Sequence, residues 1–308
     1  MRYEIAIIII NYNSSAHTMN CIESILDKTD KDLSYQIIVV DNASKNEDYS
    51  ILKSFITQLG KKDNLTLHRS RINTGFGGGN MFGVQFANAE YYAFVNNDTI
   101  MINDCISICY QFLKNHENAC CCGPQIYNEN NKKTVSFDHF TSLGREIFGK
   151  KALETLFPSK KPNRRKTYTS PIKVDYVNGS FIFFRASDFN NIGGFDTNIF
   201  LYFEESDVCY RLKKKNKDTY FLPNAEYIHY QGKSTKKNIR MKIELKTSMF
   251  YVFRKNYGYL VYQILRIVFI VRYGFTSIIK PKYFPLFLGI ILGLPISKSL
   301  KQKQIIMD

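Results

Sequence analysis

Three apolar runs in the first hundred residues each stop at a tip of short polar side chains, and this repeat constrains the fold more than any other feature. Ile5 to Ile10 ends at Asn11-Tyr12-Asn13-Ser14, Gln36 to Val40 ends at Asp41-Asn42-Ala43-Ser44, and the stretch YYAFVNND, Tyr91 to Asp98, ends at two amides and a carboxylate. Continuous β-branched or aromatic runs flanked by polar residues predict strands buried on both faces. After the first tip, Cys21, Ile22, Ile25 and Leu26 recur at helical spacing, with Ser14 or Ser15 placed to cap the segment. Successive strand, tip and helix units predict an α/β fold with a parallel sheet and crossover helices.

In such sheets ligands collect outside the carboxyl ends of the strands. Asp98 stands at one of those ends. A carboxylate there suits a hard divalent cation that carries diphosphate oxygens, because Mg²⁺ takes only one or two protein carboxylates. The competing role is an Asx turn capping a helix expected from about Asn103 to His116.

A third unit, Leu65 to His68, breaks at Asn73-Thr74-Gly75-Phe76-Gly77-Gly78-Gly79-Asn80. A dinucleotide fingerprint would need a glycine where Asn80 stands and would follow the first strand, so a nicotinamide or flavin site is set aside. The expectation is a loop whose backbone approaches a nucleotide, with Gly83 and Ala87 packing a helix on the sheet. Composition narrows the partner. A formal net charge of +15 points to an anion: nucleic acid, a phosphorylated metabolite or anionic lipid. The seven cysteines, Cys120 to Cys122 among them, show no paired CxxC spacing and no secretory leader precedes them, which predicts reduced, mostly buried thiols in a cytosolic protein.

Cys120 to Ile126 reads as a further strand. From Tyr127 to Pro171 the pattern fades, and Lys160, Lys161, Arg164, Arg165 and Lys166 crowd there as a solvated loop or as a lid over an anionic substrate. Val174 to Arg185 reads as one strand with a kinkable glycine. Glu204, Glu205 and Asp207 fall at a helix start, where the helix dipole favours anions. Clustered carboxylates also raise one another's pKa, as a general base requires. Asp207 and Arg211, spaced i, i+4, form a structural pair. Tyr220 to Leu222 and Glu226 to Tyr230 read as two short strands, the second carrying His229 ahead of a phosphate-suited Gly232-Lys233-Ser234. Tyr257 to Ile279 and Tyr283 to Ile296 are apolar but interrupted by Arg266, Arg272, Pro285 and Pro295. They predict helices lying in the interface of an anionic membrane, or a packed helical hairpin.

The order of these motifs, NYNSS, DNAS, NTGFGGGN, NND, NGSFIFFR, GGFD, FEESDVCYR and IHYQGKS, resembles the family 2 glycosyltransferases. The likeness is closest to the bacterial rhamnosyltransferase-like members that build surface polysaccharide, and it covers Ile5 to Ser234. The resemblance implies a GT-A fold, a nucleotide-diphosphate sugar donor, Mg²⁺ or Mn²⁺, and inversion at the anomeric carbon. It implies that Asn11 and Asp41 hold the nucleotide, with Asp41 accepting the imide N–H of uracil or thymine. Asn73, Gly75 and Asn80 match the loop shaping the sugar-nucleotide pocket, and Asn97 and Asn178 are further substrate-binding candidates. Asp98 and His229 match metal or diphosphate ligands. Glu205 aligns with the usual catalytic base, but Glu204 stands where relatives carry the first acid of the pair, and either carboxylate remains a candidate.

Asn96 stands where many relatives have Asp. By the same likeness, residues 1–100 form the nucleotide-sugar half, 101–244 the acceptor half, and 245–308 the membrane-associated helices. The expected activity is transfer of rhamnose, or a UDP-linked hexose or galactofuranose, from a dTDP or UDP donor to a lipid-linked oligosaccharide. Its expected place is the cytoplasmic face of the membrane. A sugar-nucleotide nucleotidyltransferase would need a basic activating signature in the first loop. A nucleic-acid-binding protein would need a recognised motif, and none is present, so nucleic acid is not an expected partner.

Overall fold

The computed structural model describes residues 2–60, 64–230 and 238–307. Strands β1 (Tyr3–Asn11), β2 (Tyr35–Asn42), β3 (Leu65–Ser70) and β4 (Ala89–Asn96) alternate with helices α1 (Ser15–Lys28), α2 (Asn46–Gln58) and α3 (Gly75–Val84). There follow β5 (Thr99–Met101), α4 (Cys105–Asn115), β6 (Ala119–Tyr127), β7 (Phe137–Asp138), α5 (Leu143–Phe148) and α6 (Lys150–Leu156). The chain continues through β8 (Ile172–Val174), β9 (Tyr176–Val177), β10 (Phe181–Arg185), α7 (Ala186–Asn191), α8 (Glu204–Lys214) and β11 (Asp218–His229). It closes with α9 (Ile239–Tyr257), α10 (Tyr259–Ile279) and α11 (Phe284–Ile291).

Among the described residues a nine-stranded sheet has the order β3-β2-β1-β4-β10-β6-β11-β5, with β8 also on β11. β1 to β4, β6 and β11 point one way, while β5, β8 and β10 oppose them. The expected mostly parallel α/β sheet is therefore present. Its apolar runs are buried on both faces: Ile5, Ile7 and Ile9 enter one core, and Ala6 and Ile8 enter the other. A third core, around Phe250, Phe253, Leu265 and Phe269, joins α9, α10 and α11. All seven cysteines are buried and free.

Several expectations need correction. The glycine cluster is not a loop, because Gly75 opens α3 and the cluster runs through that helix. A Cβ at Gly79 would meet Ile10 and Asn42, and one at Gly83 would lie 2.6 Å from Ile8 Cγ2, so missing side chains let the helix lie against the sheet. Val174 to Arg185 is divided among β8, β9 and β10, with β9 paired to β7 in a separate two-stranded sheet. Conversely, Tyr220 to Tyr230 is mostly one strand, β11, whose register shifts between Leu222 and Glu226 and so accommodates Pro223.

The basic stretch of 160–166 is neither a solvated loop nor a free lid throughout. Lys161 pairs with Asp175, and Arg164 Nε donates to Glu154 at 2.7 Å. Asp138 is surrounded by Arg145, Lys150 and Arg164. Lys160, Arg165 and Lys166 remain exposed.

The C-terminal helices form a packed hairpin with one uncovered face. Leu260, Ile264, Ile267, Val271, Phe275 and Ile278 of α10 are all exposed and recur at helical spacing. Arg266, which interrupted the apolar pattern, turns inward: its Nε donates to Ile290 O at 3.1 Å and its Nη2 to Ile291 O, satisfying carbonyls at the end of α11. α10 is thus, by length and composition, the one helix among the described residues able to cross a membrane.

Candidate active site

Parallel register brings the polar tips together. Asn11 pairs with Asp41 across β1 and β2, and Ile10 lies beside Asn96 of β4. Asn11 Nδ2 donates to Asp41 Oδ1 at 2.9 Å and to Asp48 Oδ2 at 2.8 Å, while its Oδ1 accepts from Thr18 Oγ1 at 2.8 Å. Asn97 Nδ2 continues this chain by donating to Ser14 Oγ at 2.6 Å and Thr18 Oγ1 at 2.9 Å. The expected side-chain cap from Ser14 is absent from α1, and Asp48 Oδ1 instead accepts the Ser15 N–H at 2.9 Å.

Above these tips lies a cavity of about 300 Å³ lined by Ile10, Tyr12, Ser14, Asn42, Asn73, Gly75, Asn96, Asn97 and Asp98 on one side, and by Phe76, Phe200, Leu201, Met241, Leu300 and Gln304. A larger cavity of about 540 Å³ lies within the helical layer, away from the strand tips, beside Phe250, Arg254 and Tyr262. Asn42 is a hub of hydrogen bonds on the wall of the strand-tip cavity. Its Nδ2 donates to Asn73 Oδ1 and Gly75 O, and its Oδ1 accepts the Thr74 N–H, each at 3.1 Å. Gly75 has φ +75°, and a Cβ there would sit 2.1 Å from Phe200 O, so glycine is required where α3 meets the segment leading to α8.

Asp98 is 5% exposed. The pairing of β5 with β11 brings His229 opposite Thr99 and puts His229 Nε2 3.1 Å from Asp98 Oδ1. His229 Nδ1 is buried without a partner. Among the described residues no group of three or more His, Cys, Asp or Glu is arranged to hold a metal ion. Asp98 nevertheless offers the carboxylate that a hard cation takes, since such ions need few protein ligands and complete their shell with water and diphosphate oxygens, and His229 stands beside it. Gly232-Lys233-Ser234 lies outside the described residues.

The acidic motif opens α8 after two consecutive left-handed residues, Tyr202 and Phe203, both at φ 74°. Neither is glycine, so the backbone is strained where it delivers Glu204 and Glu205. Glu204 is 2% exposed and its Oε1 has no partner. Burial, then the neighbouring Glu205, Glu244 and Asp207, pushes its carboxyl well above the usual range. Glu205 keeps partial exposure; desolvation of its carboxyl, with a smaller push from Asp138, raises it to about 7. Asp207 is structural as expected, accepting from Arg211 at 2.8 Å, and Arg211 reaches on to the Ile192 and Gly194 carbonyls.

A model of the family described as Glycosyl transferase family 2 matches residues 6–193, more than half of the chain. The chain belongs to glycosyl transferase family 2. It is 26% identical over 237 residues to the low-salt glycan biosynthesis hexosyltransferase Agl10 of Haloferax volcanii, covering 74% of this chain and 67% of that protein. It is 26% identical over 235 residues to rhamnosyltransferase WbbL of Escherichia coli K12, covering 73% and 82%. A shorter match, 34% over 82 residues, covers 27% of this chain and 23% of N-acetylglucosaminyl-diphospho-decaprenol L-rhamnosyltransferase of Mycobacterium tuberculosis. GalNAc-T7, solved with UDP, GalNAc and Mn²⁺, superposes with a TM-score of 0.58 at 12% identity, covering 82% of this chain and 50% of that one. The fold is GT-A and the protein is a glycosyltransferase.

Within this family 2 enzyme the candidate residues divide. Asn73, Gly75, Asn97 and Asp98 line the cavity, and Asp98 gathers His229. Asn11 and Asp41 lie beneath it, both 0% exposed. The Asp41 carboxylate is fully buried and serves Asn11, the Ser44 N–H and Arg69, and it is not on the cavity wall. Asn80 is inside α3, donating to Phe76 O at 3.1 Å, and is not on the cavity wall. Asn178 Oδ1 accepts from the Ser180 N–H at 2.9 Å and Oγ at 2.8 Å, a local turn that starts β10, while Gly179 next to it lies against Glu205. Sequence reasoning missed Phe200, Leu201, Met241, Leu300 and Gln304. The first two were signalled by the apolar start of FLYFEES; the others carry no motif.

Proposed function

We propose that the enzyme is an inverting, metal-dependent glycosyltransferase. It moves rhamnose, or another hexose, from a dTDP or UDP donor to a hydroxyl of a lipid-linked oligosaccharide in surface glycan synthesis. The observation that carries this reading is the Asp98 carboxylate, held against His229 on the wall of an amide-lined cavity at the strand tips. The similarity to two proteins named as rhamnosyltransferases supports the sugar, and the name of one of them supports a diphospho-lipid acceptor.

Asp98 and His229 would hold Mg²⁺ or Mn²⁺, which neutralises charge on the departing diphosphate. Asn73 and Gly75 shape the nucleotide side, and Asn97 locks the tips of β1 and β4 beneath the diphosphate. Glu205, rather than the sealed Glu204, is the general base. It takes the acceptor hydroxyl proton as that oxygen bonds to the anomeric carbon and the bond from that carbon to the diphosphate oxygen breaks. One displacement on the face opposite the leaving group inverts the centre. The calorimetric test titrates the protein with UDP and dTDP, each with and without Mn²⁺. Metal-dependent binding of one nucleotide is expected; no binding of either by folded protein overturns the reading.

Membrane placement at the cytoplasmic face is part of the proposal. Its support is the uncovered apolar face of α10 with exposed Lys280, Lys282 and Lys298 close by in sequence. The protein should co-sediment with vesicles containing phosphatidylglycerol, and Ile267→Asp with Phe275→Asp should abolish this. Retained sedimentation in that double variant would remove α10 as the docking face.

A further inference from the structure

The wall of the strand-tip cavity includes two residues, Leu300 and Gln304, from a segment far outside the matched family region. This segment leaves the helical layer after α11 and passes through two short 3₁₀ turns, Ile296–Lys298 and Leu300–Lys303. It is fastened on both sides of the cavity. On the side of α9, Glu244 is 2% exposed, and its two oxygens accept Ser299 Oγ at 2.6 Å and the Leu300 N–H at 2.7 Å. On the nucleotide side, the Met307 N–H donates to Arg71 O at 2.7 Å, and Arg71 Nε donates back to Met307 O at 3.3 Å. Arg71 lies just ahead of Asn73 in the chain, and Asn73 is itself on the cavity wall.

We infer that residues 296–307 form a strap that completes the donor site: Leu300 and Gln304 contact the bound nucleotide diphosphate, and Glu244 positions them. This rests on the donor-site reading above. A cleft made by strand tips alone is open on one side, whereas ligand pockets bury most of the ligand surface. The strap supplies part of the wall. Leu300 joins the apolar lining of Ile10, Phe76, Leu201 and Met241, and Gln304, whose Nε2 also donates to Leu300 O at 3.0 Å, adds an amide to a lining that holds Asn42, Asn73, Asn96 and Asn97. Glu244 is suited to its part because a buried carboxylate with two charge-assisted bonds fixes both a side chain and the backbone of the strap.

The test uses the full chain and whichever of UDP or dTDP it binds with Mn²⁺. Leu300→Ala and Gln304→Ala, both at partly exposed positions, should each weaken nucleotide binding by about fivefold. Glu244→Gln, which keeps one of the two bonds, should raise the donor KM while leaving the acceptor KM and kcat near wild type. A loss of stability without that split would make Glu244 merely structural. Wild-type nucleotide affinity, or tighter binding, in both strap variants overturns the inference while the donor site stands. A wild-type protein that binds neither nucleotide overturns both together.

Discussion

Asp98 and Glu205 both serve the carboxyl-terminal side of one sheet, yet their surroundings differ in kind. Asp98 sits among amides and a histidine that touches it at 3.1 Å, on a wall rich in hydrogen-bonding groups. Glu205 sits at a strained helix start beside Gly179, where desolvation lifts its carboxyl to about 7. The polar surround of Asp98 matches the cation-holding role proposed for it. A desolvated one suits a carboxylate that must take a proton near neutral pH. The proposed reading gives two carboxylates different tasks through their different environments.

Crossed substitutions would break that division most directly. Asp98→Asn should lose metal-dependent donor binding and with it all measurable turnover. Glu205→Gln should retain donor affinity and lose about 10² to 10⁴ in kcat. Equal donor affinities for Asp98→Asn and wild type in calorimetry, or full activity in Glu205→Gln, would collapse the distinction. In the wild type, kcat/KM should fall on the acid side with an apparent pKa near 7, as Glu205 becomes protonated.

The smallest effect is on stability, and its sign follows from the same lift. Glu205 has its folded pKa raised from 4.5 to about 7, so the folded state holds the proton more tightly than the unfolded chain. Its contribution is fully present below pH 4.5 and is lost as pH rises through 7. Glu205→Gln should therefore gain stability over wild type between pH 5 and pH 8, by on the order of 1–3 kcal/mol. A melting-temperature difference that stays constant over that range would place the carboxyl in water.

What was legible in the sequence follows the range of the forces involved. Strands β1, β2 and β4 could be read because each holds a continuous apolar run, and burial on both faces needs little else. The glycine-rich start of α3 could not, because glycines are poor helix formers and here depend on close packing against the sheet, as Gly79 does on Ile10. The region from 127 to 171 looked featureless for a related reason. Its short elements are tied by contacts such as Asp138 of β7 with Arg164 and the Phe140 N–H with Asp175, whose partners are not neighbours in the chain.

The sequence by itself determined which residue types stand at the strand ends, because alternation of apolar runs and polar tips is a local pattern read from neighbours. Tertiary structure alone decided which tips meet. The β5–β11 pairing brings His229 to Asp98, parallel register turns Asp41 inward onto Asn11, and the α9 carboxylate of Glu244 draws the chain's last residues over the cavity. Those outcomes depend on through-space contacts between distant segments, and such contacts exist only once the sheet has formed.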